Sequence, residues 1–124
     1  MEGDVFGPGT YGLYEMTRPA GSEPAPPEYE ESRRLFETAR QKYEKGQYVE
    51  AARGFIDAAR VLPRDSESHA STLAADRAAC YRNAVSAYIL ANAGDEARRE
   101  LIPLIKKDPA CADVIRGELT RLPE

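Results

Sequence analysis

The chain contains few of the residues from which catalytic and metal sites are usually built. It has no tryptophan, one histidine (His69) and two cysteines (Cys80 and Cys111). A single imidazole has no second histidine to share a metal ion, and the cysteines are too far apart in sequence for a Cys-x-x-Cys motif. We therefore expect no metal site, His69 on the surface, and the cysteines as small buried apolar side chains. A disulfide is the alternative if the last helix folds back onto the third.

The remaining polar residues form no catalytic arrangement. Residues 7–10 (Gly-Pro-Gly-Thr) have no strand before them and no lysine after them, so they do not make a phosphate-binding loop. Adjacent acids such as Glu30 and Glu31 point to different faces of a helix, which does not suit a general acid and base. We therefore predict that the protein is not an enzyme, with no catalytic residues and no cofactor.

The chain also lacks a long hydrophobic run. No stretch approaches the roughly 18 apolar residues of a membrane helix, and residues 1–27 lack the basic start and apolar centre of a signal peptide. The expectation is a cytoplasmic protein without membrane insertion. A periplasmic or lipid-anchored location is the alternative if this chain is a processed or truncated form.

Basic charge is not concentrated anywhere in the sequence. Residues 1–31 hold seven acids and one base, for a charge of −6, and the other residues hold 14 acids and 16 bases, for a charge of +2. A body with so small an excess of mixed charges lacks the basic face that nucleic-acid binding requires. The pattern predicts an acidic arm joined to a slightly basic body, with no nucleic-acid partner.

What the chain does contain is an internal repeat. Two sets of apolar residues, each followed by a proline, are offset from one another by 46 positions. The sets are Ala51, Phe55, Ala58, Ala59 and Pro63, and Ala97, Leu101, Leu104, Ile105 and Pro109. Each has the spacing of one apolar stripe on a helix that ends at the proline. The repeat predicts stacked helical hairpins.

Composition divides the chain into an extended Gly/Pro-rich arm (1–27) and an all-helical domain (28–124) of about five helices. We predict helices over 28–45, 48–62, about 65–91 and 95–107, and a fifth beginning after residue 108. Asp65 or Ser66, Asp95 and Asp108 are the expected N-caps. Pro103 lies inside the fourth helix, where a kink or an early break is expected.

At these positions the chain resembles tetratricopeptide (TPR) repeats. Residues 32–65 match the family pattern with Leu35, Phe36, Ala39, Tyr43, Gly46, Tyr48, Ala51, Phe55, Ala58 and Pro63. Residues 78–111 match more loosely, with Tyr81, Asn83, Tyr88, Ala97, Leu101, Leu104 and Pro109. Asn92 occupies the glycine position of the second unit. Between the units, residues 66–77 lengthen the third helix beyond the family pattern.

The resemblance implies a short right-handed solenoid of antiparallel hairpins, acting as a non-enzymatic adaptor or scaffold that binds a protein or peptide on its concave face. The family positions that line this face correspond to Arg33, Phe36, Arg40, Tyr43, Arg82, Asn83, Ser86 and Ile89. The alternative is a structural subunit of a homo-oligomer or of a multiprotein assembly, an envelope assembly included. Solvated arginines on an amphipathic helix are the competing explanation of the basic positions.

The arm presents two alternatives of its own. Its composition is that of a disordered leader, but the stretch from Phe6 to Met16 is more apolar than a free tail requires. The acidic arm is attracted by a body in which Arg33, Arg40 and Arg82 are expected to share one surface. We therefore predict that this stretch docks on the helical domain.

Overall fold

The predicted all-helical architecture is present in a computed structural model of the protein, which describes residues 13–16, 27–63 and 70–123. These residues form five α-helices and contain no strand. The helices are α1 (Pro27–Glu44), α2 (Tyr48–Val61), α3 (Ala70–Leu90), α4 (Gly94–Lys107) and α5 (Ala112–Leu119), with a short 3-10 segment (Pro109–Cys111) before α5. The predictions for His69, for a cap at Asp65 or Ser66, and for residues 1–12 fall outside the described residues.

Helix α2 is packed on both sides, against α1 and against α3, and α5 contacts both α3 and α4. The rings of Phe36 and Phe55 meet edge to face across α1 and α2, with centroids 5.2 Å apart. At Gly54 a Cβ atom would lie 2.9 Å from the Cβ of Ala39, which is closer than carbon atoms normally approach. The glycine therefore allows α1 and α2 to pack at short range.

Two turns of the fold repeat one another at the offset of the sequence repeat. After α1, Gly46 adopts a positive φ of 82°, and the Gln47 N–H donates to the Lys42 carbonyl at 2.9 Å. After α3, Asn92 adopts a φ of 56°, and the Ala93 N–H donates to the Tyr88 carbonyl at 2.9 Å. Both turns are left-handed C-terminal caps. Asparagine is the residue that best replaces glycine in a cap of this type.

Helix α4 differs from the prediction at its start and in its middle. It begins at Gly94, its N-cap is Ala93, and no side chain caps it, so the cap expected at Asp95 is wrong. The helix runs through Pro103 to Lys107, so the early break is wrong as well. Pro103 is exposed, whereas Ala97, Leu101 and Leu104 are buried on the other side. Their burial offsets the hydrogen bond that the proline removes.

Asp108 is the N-cap residue of the 3-10 segment, with Pro109 after it, as predicted, but its side chain makes no capping hydrogen bond. Its carboxylate is buried instead in a polar cluster formed with Arg77 and Tyr81. Arg77 Nε and Nη2 donate to Asp108 Oδ2 and Oδ1 at 2.8 and 3.1 Å, and the Tyr81 hydroxyl donates to Oδ2 at 2.7 Å. Arg77 Nη1 donates to the carbonyl of Pro63 at 2.7 Å. This Asp108 cluster joins α3 to the end of α2 and to the residue after α4.

Both cysteines are buried free thiols, as the first of the two alternatives predicts. The Cys111 thiol donates to the carbonyl of Ala74 at 3.3 Å, which connects the 3-10 segment to α3. Burial, with the nearby charge of Asp108, raises the pKa of Cys111 to about 11. Burial likewise raises the pKa of Cys80. The thiols therefore act as packed apolar groups.

Three buried tyrosines predict an alkaline limit to stability. Burial, with the charge of Asp76, raises the pKa of Tyr29 to about 12, and burial also raises the pKa values of Tyr43 and Tyr88. The fold favours the neutral phenols, so their contribution is complete below the ordinary pKa of about 10 and is lost as pH rises through the folded values. We expect part of the phenolate absorbance to appear only as helical circular dichroism is lost above about pH 10. Full tyrosine ionisation with unchanged helicity would contradict this.

Candidate functional site

Four residues of the N-terminal arm lie against the helical domain. Within this docked segment (residues 13–16), Leu13 is 1% exposed and Met16 is 8% exposed, and both belong to the main apolar cluster. Tyr14 is 47% exposed, and Glu15 is exposed as well. The segment has no regular secondary structure. The predicted docking of the arm is therefore present at residues 13–16.

Asn83 of α3 holds the backbone of the docked segment. Its Oδ1 accepts a hydrogen bond from the Tyr14 N–H at 2.7 Å, and its Nδ2 donates to the Tyr14 carbonyl at 2.9 Å. Asn83 is 1% exposed, so an unpaired amide there would carry a desolvation penalty. One side chain thus satisfies both backbone polar groups of one residue, and this pairing does not depend on that residue's side chain.

Two arginines contact the side chains of the docked segment. Arg40 of α1 forms an ion pair with Glu15 and a second with Glu37, and its guanidinium lies 5.6 Å from the centroid of the Phe36 ring. Arg82 of α3 lies 5.1 Å from the centroid of the Tyr14 ring, within the range of a cation–π contact. Burial opposes the charge of Arg40, but Glu37 and Glu15 outweigh burial and raise the pKa of the guanidinium.

The last residue of the docked segment, Met16, contacts α1. The sulfur of Met16 is 3.9 Å from the hydroxyl oxygen of Ser32, which itself donates to the carbonyl of Ala58 on α2 at 2.7 Å. Ser32 belongs to the buried stripe of α1, whose members are Tyr29, Ser32, Phe36, Ala39 and Tyr43. Met16 therefore contacts a position where α1 and α2 are already joined. We use the name α1/α3 surface for Ser32, Arg40, Arg82 and Asn83, which contact residues 13–16.

Three of the eight residues predicted to bind a partner, Arg40, Arg82 and Asn83, belong to the α1/α3 surface. Phe36 and Tyr43 are buried core residues instead, and Tyr43 packs edge to face with Tyr48 at 5.3 Å. The remaining three have other surroundings. Ser86 accepts a hydrogen bond from Arg121 at 3.1 Å, Ile89 packs on the core, and Arg33 lines a surface depression with acidic neighbours.

The sequence prediction did not include Ser32, Glu37 or Glu118 among the residues of this site. Glu118 of α5 lies 3.8 Å from Arg82, so α5 contributes a charge to the edge of the α1/α3 surface. Ser32 could have been found, because it lies four residues before Phe36 on the same stripe of α1. No comparable signal in the sequence identifies Glu118, whose position depends on how α5 packs.

The described residues contain no helix long and apolar enough to cross a membrane. Nor do they contain a group of three or more His, Cys, Asp or Glu side chains placed to hold a metal ion. Comparison with protein families, with curated proteins and with solved structures finds no significant match to this chain. The α1/α3 surface and its contacts are therefore the basis for assigning a function.

Proposed function

We propose that this protein is a non-enzymatic adaptor, a short TPR-like right-handed solenoid that binds an extended segment of a protein partner on the α1/α3 surface. The observation that carries the proposal is the pair of hydrogen bonds between Asn83 and the backbone of Tyr14. Any residue other than proline presents the same N–H and carbonyl groups. The surface can therefore hold an extended backbone of a partner in the same way.

The neighbouring contacts supply affinity and orientation. Full burial of an apolar side chain such as Leu13 or Met16 stabilises a complex by about 1.5 to 3 kcal/mol. The charge of Arg40 can pair with an acidic residue of a ligand as it does with Glu15. A buried amide, two apolar positions and a partly buried arginine together are suited to a protein segment and offer no reacting group.

The test requires a chain whose docked segment has been released, because Asn83 holds that segment in the wild-type protein. Removing Asn83 from the wild type would free the α1/α3 surface and weaken it at the same time. We define the opened chain as the variant with Leu13→Asp and Met16→Asp, which changes the segment and leaves the surface intact. Retained helical circular dichroism establishes that the opened chain is folded.

We expect the opened chain to recover a partner from a native lysate, and the added substitution Asn83→Ala to lower that recovery about tenfold, equivalent to about 1.4 kcal/mol. Gln41→Ala, which removes an exposed amide of α1, is the matched control and should not change recovery. Quantitative mass spectrometry compares the three samples. Recovery that is equal with and without Asn83 would reject the α1/α3 surface as the binding site. Self-association in sedimentation would favour the structural-subunit alternative instead.

A further inference from the structure

We infer that the partner segment has the side-chain chemistry of residues 13–16, and that it binds by displacing them. The order is apolar, aromatic, acidic, apolar, in a segment that is neither helix nor strand. This inference depends on the proposed function and adds to it the class of ligand and the competing occupant. It follows from what each position of the docked segment contacts.

The first and fourth positions are selected by burial. Leu13 and Met16 are buried in the apolar cluster that includes Phe36. A polar side chain at either position would lose water without gaining a partner, which is unfavourable. Met16 additionally contacts the Ser32 hydroxyl, whose own hydrogen bond is directed to Ala58. A ligand therefore needs an apolar side chain at both ends of the four-residue stretch.

The two middle positions are selected by charge. The third residue faces Arg40, and the second lies beneath the guanidinium of Arg82. An acidic residue at the third position pairs with Arg40, whereas a basic residue there would be repelled by Arg40. An aromatic ring at the second position offers its electron-rich face to Arg82. Because the arginines belong to different helices, they also fix the direction in which an extended segment lies.

The two middle residues of the segment are exposed and give a competing ligand a point of entry, whereas Leu13 and Met16 have to leave the core for exchange. Tyr14 is 47% exposed, and the carboxylate of Glu15 and the ring of Tyr14 both lie at the edge of the surface. The segment has no helix or strand of its own to be broken on release. Residues 17–26 connect it to α1, so a competing ligand acts against an occupant at high effective concentration.

The experiment uses a fluorescent peptide with the sequence of residues 11–18 and measures its anisotropy with the full chain and with the opened chain. We expect the opened chain to bind at least about tenfold more tightly, because the full chain exposes the surface only in the fraction of molecules whose segment has left. If the opened chain does not fold, Tyr14→Pro replaces it. That variant removes the backbone N–H that donates to Asn83 Oδ1 and keeps the side chains of Leu13 and Met16.

Peptide variants then test the order of residues. Leu13→Ser or Met16→Ser in the peptide should weaken binding about tenfold, and a scrambled peptide of the same composition should not bind. Glu15→Ala in the peptide should weaken binding to a chain with Arg40 but not to one carrying Arg40→Ala, since the two changes remove one contact. Equal binding of the scrambled peptide would overturn the inference.

The outcome separates this inference from the proposed function. If a lysate partner depends on Asn83 while peptides of this pattern do not bind, the ligand class is wrong and the adaptor function stands. If no lysate partner depends on Asn83 and the peptide does not bind either, both proposals are rejected. If the opened chain and the full chain bind the peptide equally, the peptide does not compete with residues 13–16 for the α1/α3 surface, and the displacement is wrong. A dimer that forms at high concentration and dissolves on adding the peptide would identify a second copy as the occupant, and would overturn the partner assignment.

Discussion

Replacement of Asp108 by alanine is expected to lower the free energy of unfolding by about 3 to 5 kcal/mol. The substitution leaves the buried guanidinium of Arg77 without its carboxylate and removes the hydrogen bond that the Tyr81 hydroxyl donates to Asp108. An unpaired charge in a buried site costs far more than an exposed ion pair contributes. Urea unfolding followed by circular dichroism measures the change.

Two further variants make the cause of this loss testable. Asp108→Asn keeps the shape and one acceptor oxygen and removes the charge, so it should fall between the wild type and the alanine variant. Arg77→Met combined with Asp108→Leu removes both charges, and it should be less damaging than Asp108→Ala alone. If the double variant is the less stable of the two, the loss comes from packing and not from the unpaired arginine.

The Asp108 cluster also shows why part of the fold cannot be predicted from the sequence. An aspartate before a proline has the features of a helix N-cap, and local rules correctly give Asp108 that position but do not give the partners of its carboxylate. Its actual partners, Arg77 and Tyr81, belong to another helix. Local spacing contains no information about a contact that forms only when α3 and the end of α4 pack. The absent cap at Asp95 has a local cause, because α4 begins at Gly94 and Asp95 lies inside its first turn with an exposed side chain.

The helix positions could be predicted because they depend on short-range patterns. Apolar spacing and the following prolines placed α2 and α4 to within one residue of their bounds. The glycine position of the first unit and the matching Asn92 of the second both adopt the left-handed conformation. The family positions, and not spacing, assign Arg40 and Arg82 to one surface, and both contact the docked segment. Pro103 is the exception, because burial of its neighbours on α4 offsets a rule that holds for isolated helices.

The candidate site could be predicted only in outline. The apolar character of residues 6–16 indicated docking, and the basic positions indicated where an acidic segment would bind. The sequence could not show that Asn83 would pair with both backbone groups of Tyr14, because that depends on where the docked segment meets α3. Phe36 and Tyr43 face the core, in agreement with their helical spacing on the apolar stripe of α1. Their family positions predicted contact with a ligand, whereas packing against α2 buries them.

Deletion of residues 110–124 is expected to remove the cooperative unfolding transition. The deleted residues include Ile115 and Leu122, both buried, and Leu119, which packs on the core. Leu122 lies beyond the end of α5 and belongs to the apolar core, so the chain after the helix also helps to bury the core. Each buried side chain contributes roughly 1.5 to 3 kcal/mol, out of a total stability of about 5 to 15 kcal/mol for a domain of this kind.

The truncated chain should therefore be insoluble, or should retain helical circular dichroism without a sharp melting transition. Loss of α5 also removes Glu118 and Arg121, which contact Arg82 and Ser86. The matched control replaces Asp113 and Arg116, an exposed ion pair on α5, by alanine, and its melting temperature should stay close to that of the wild type. A truncated protein that melts as cooperatively and at the same temperature as the full chain would show that α5 does not complete the core. In that case the contacts of α3 with α2 and with α4 would be sufficient to hold the two helices.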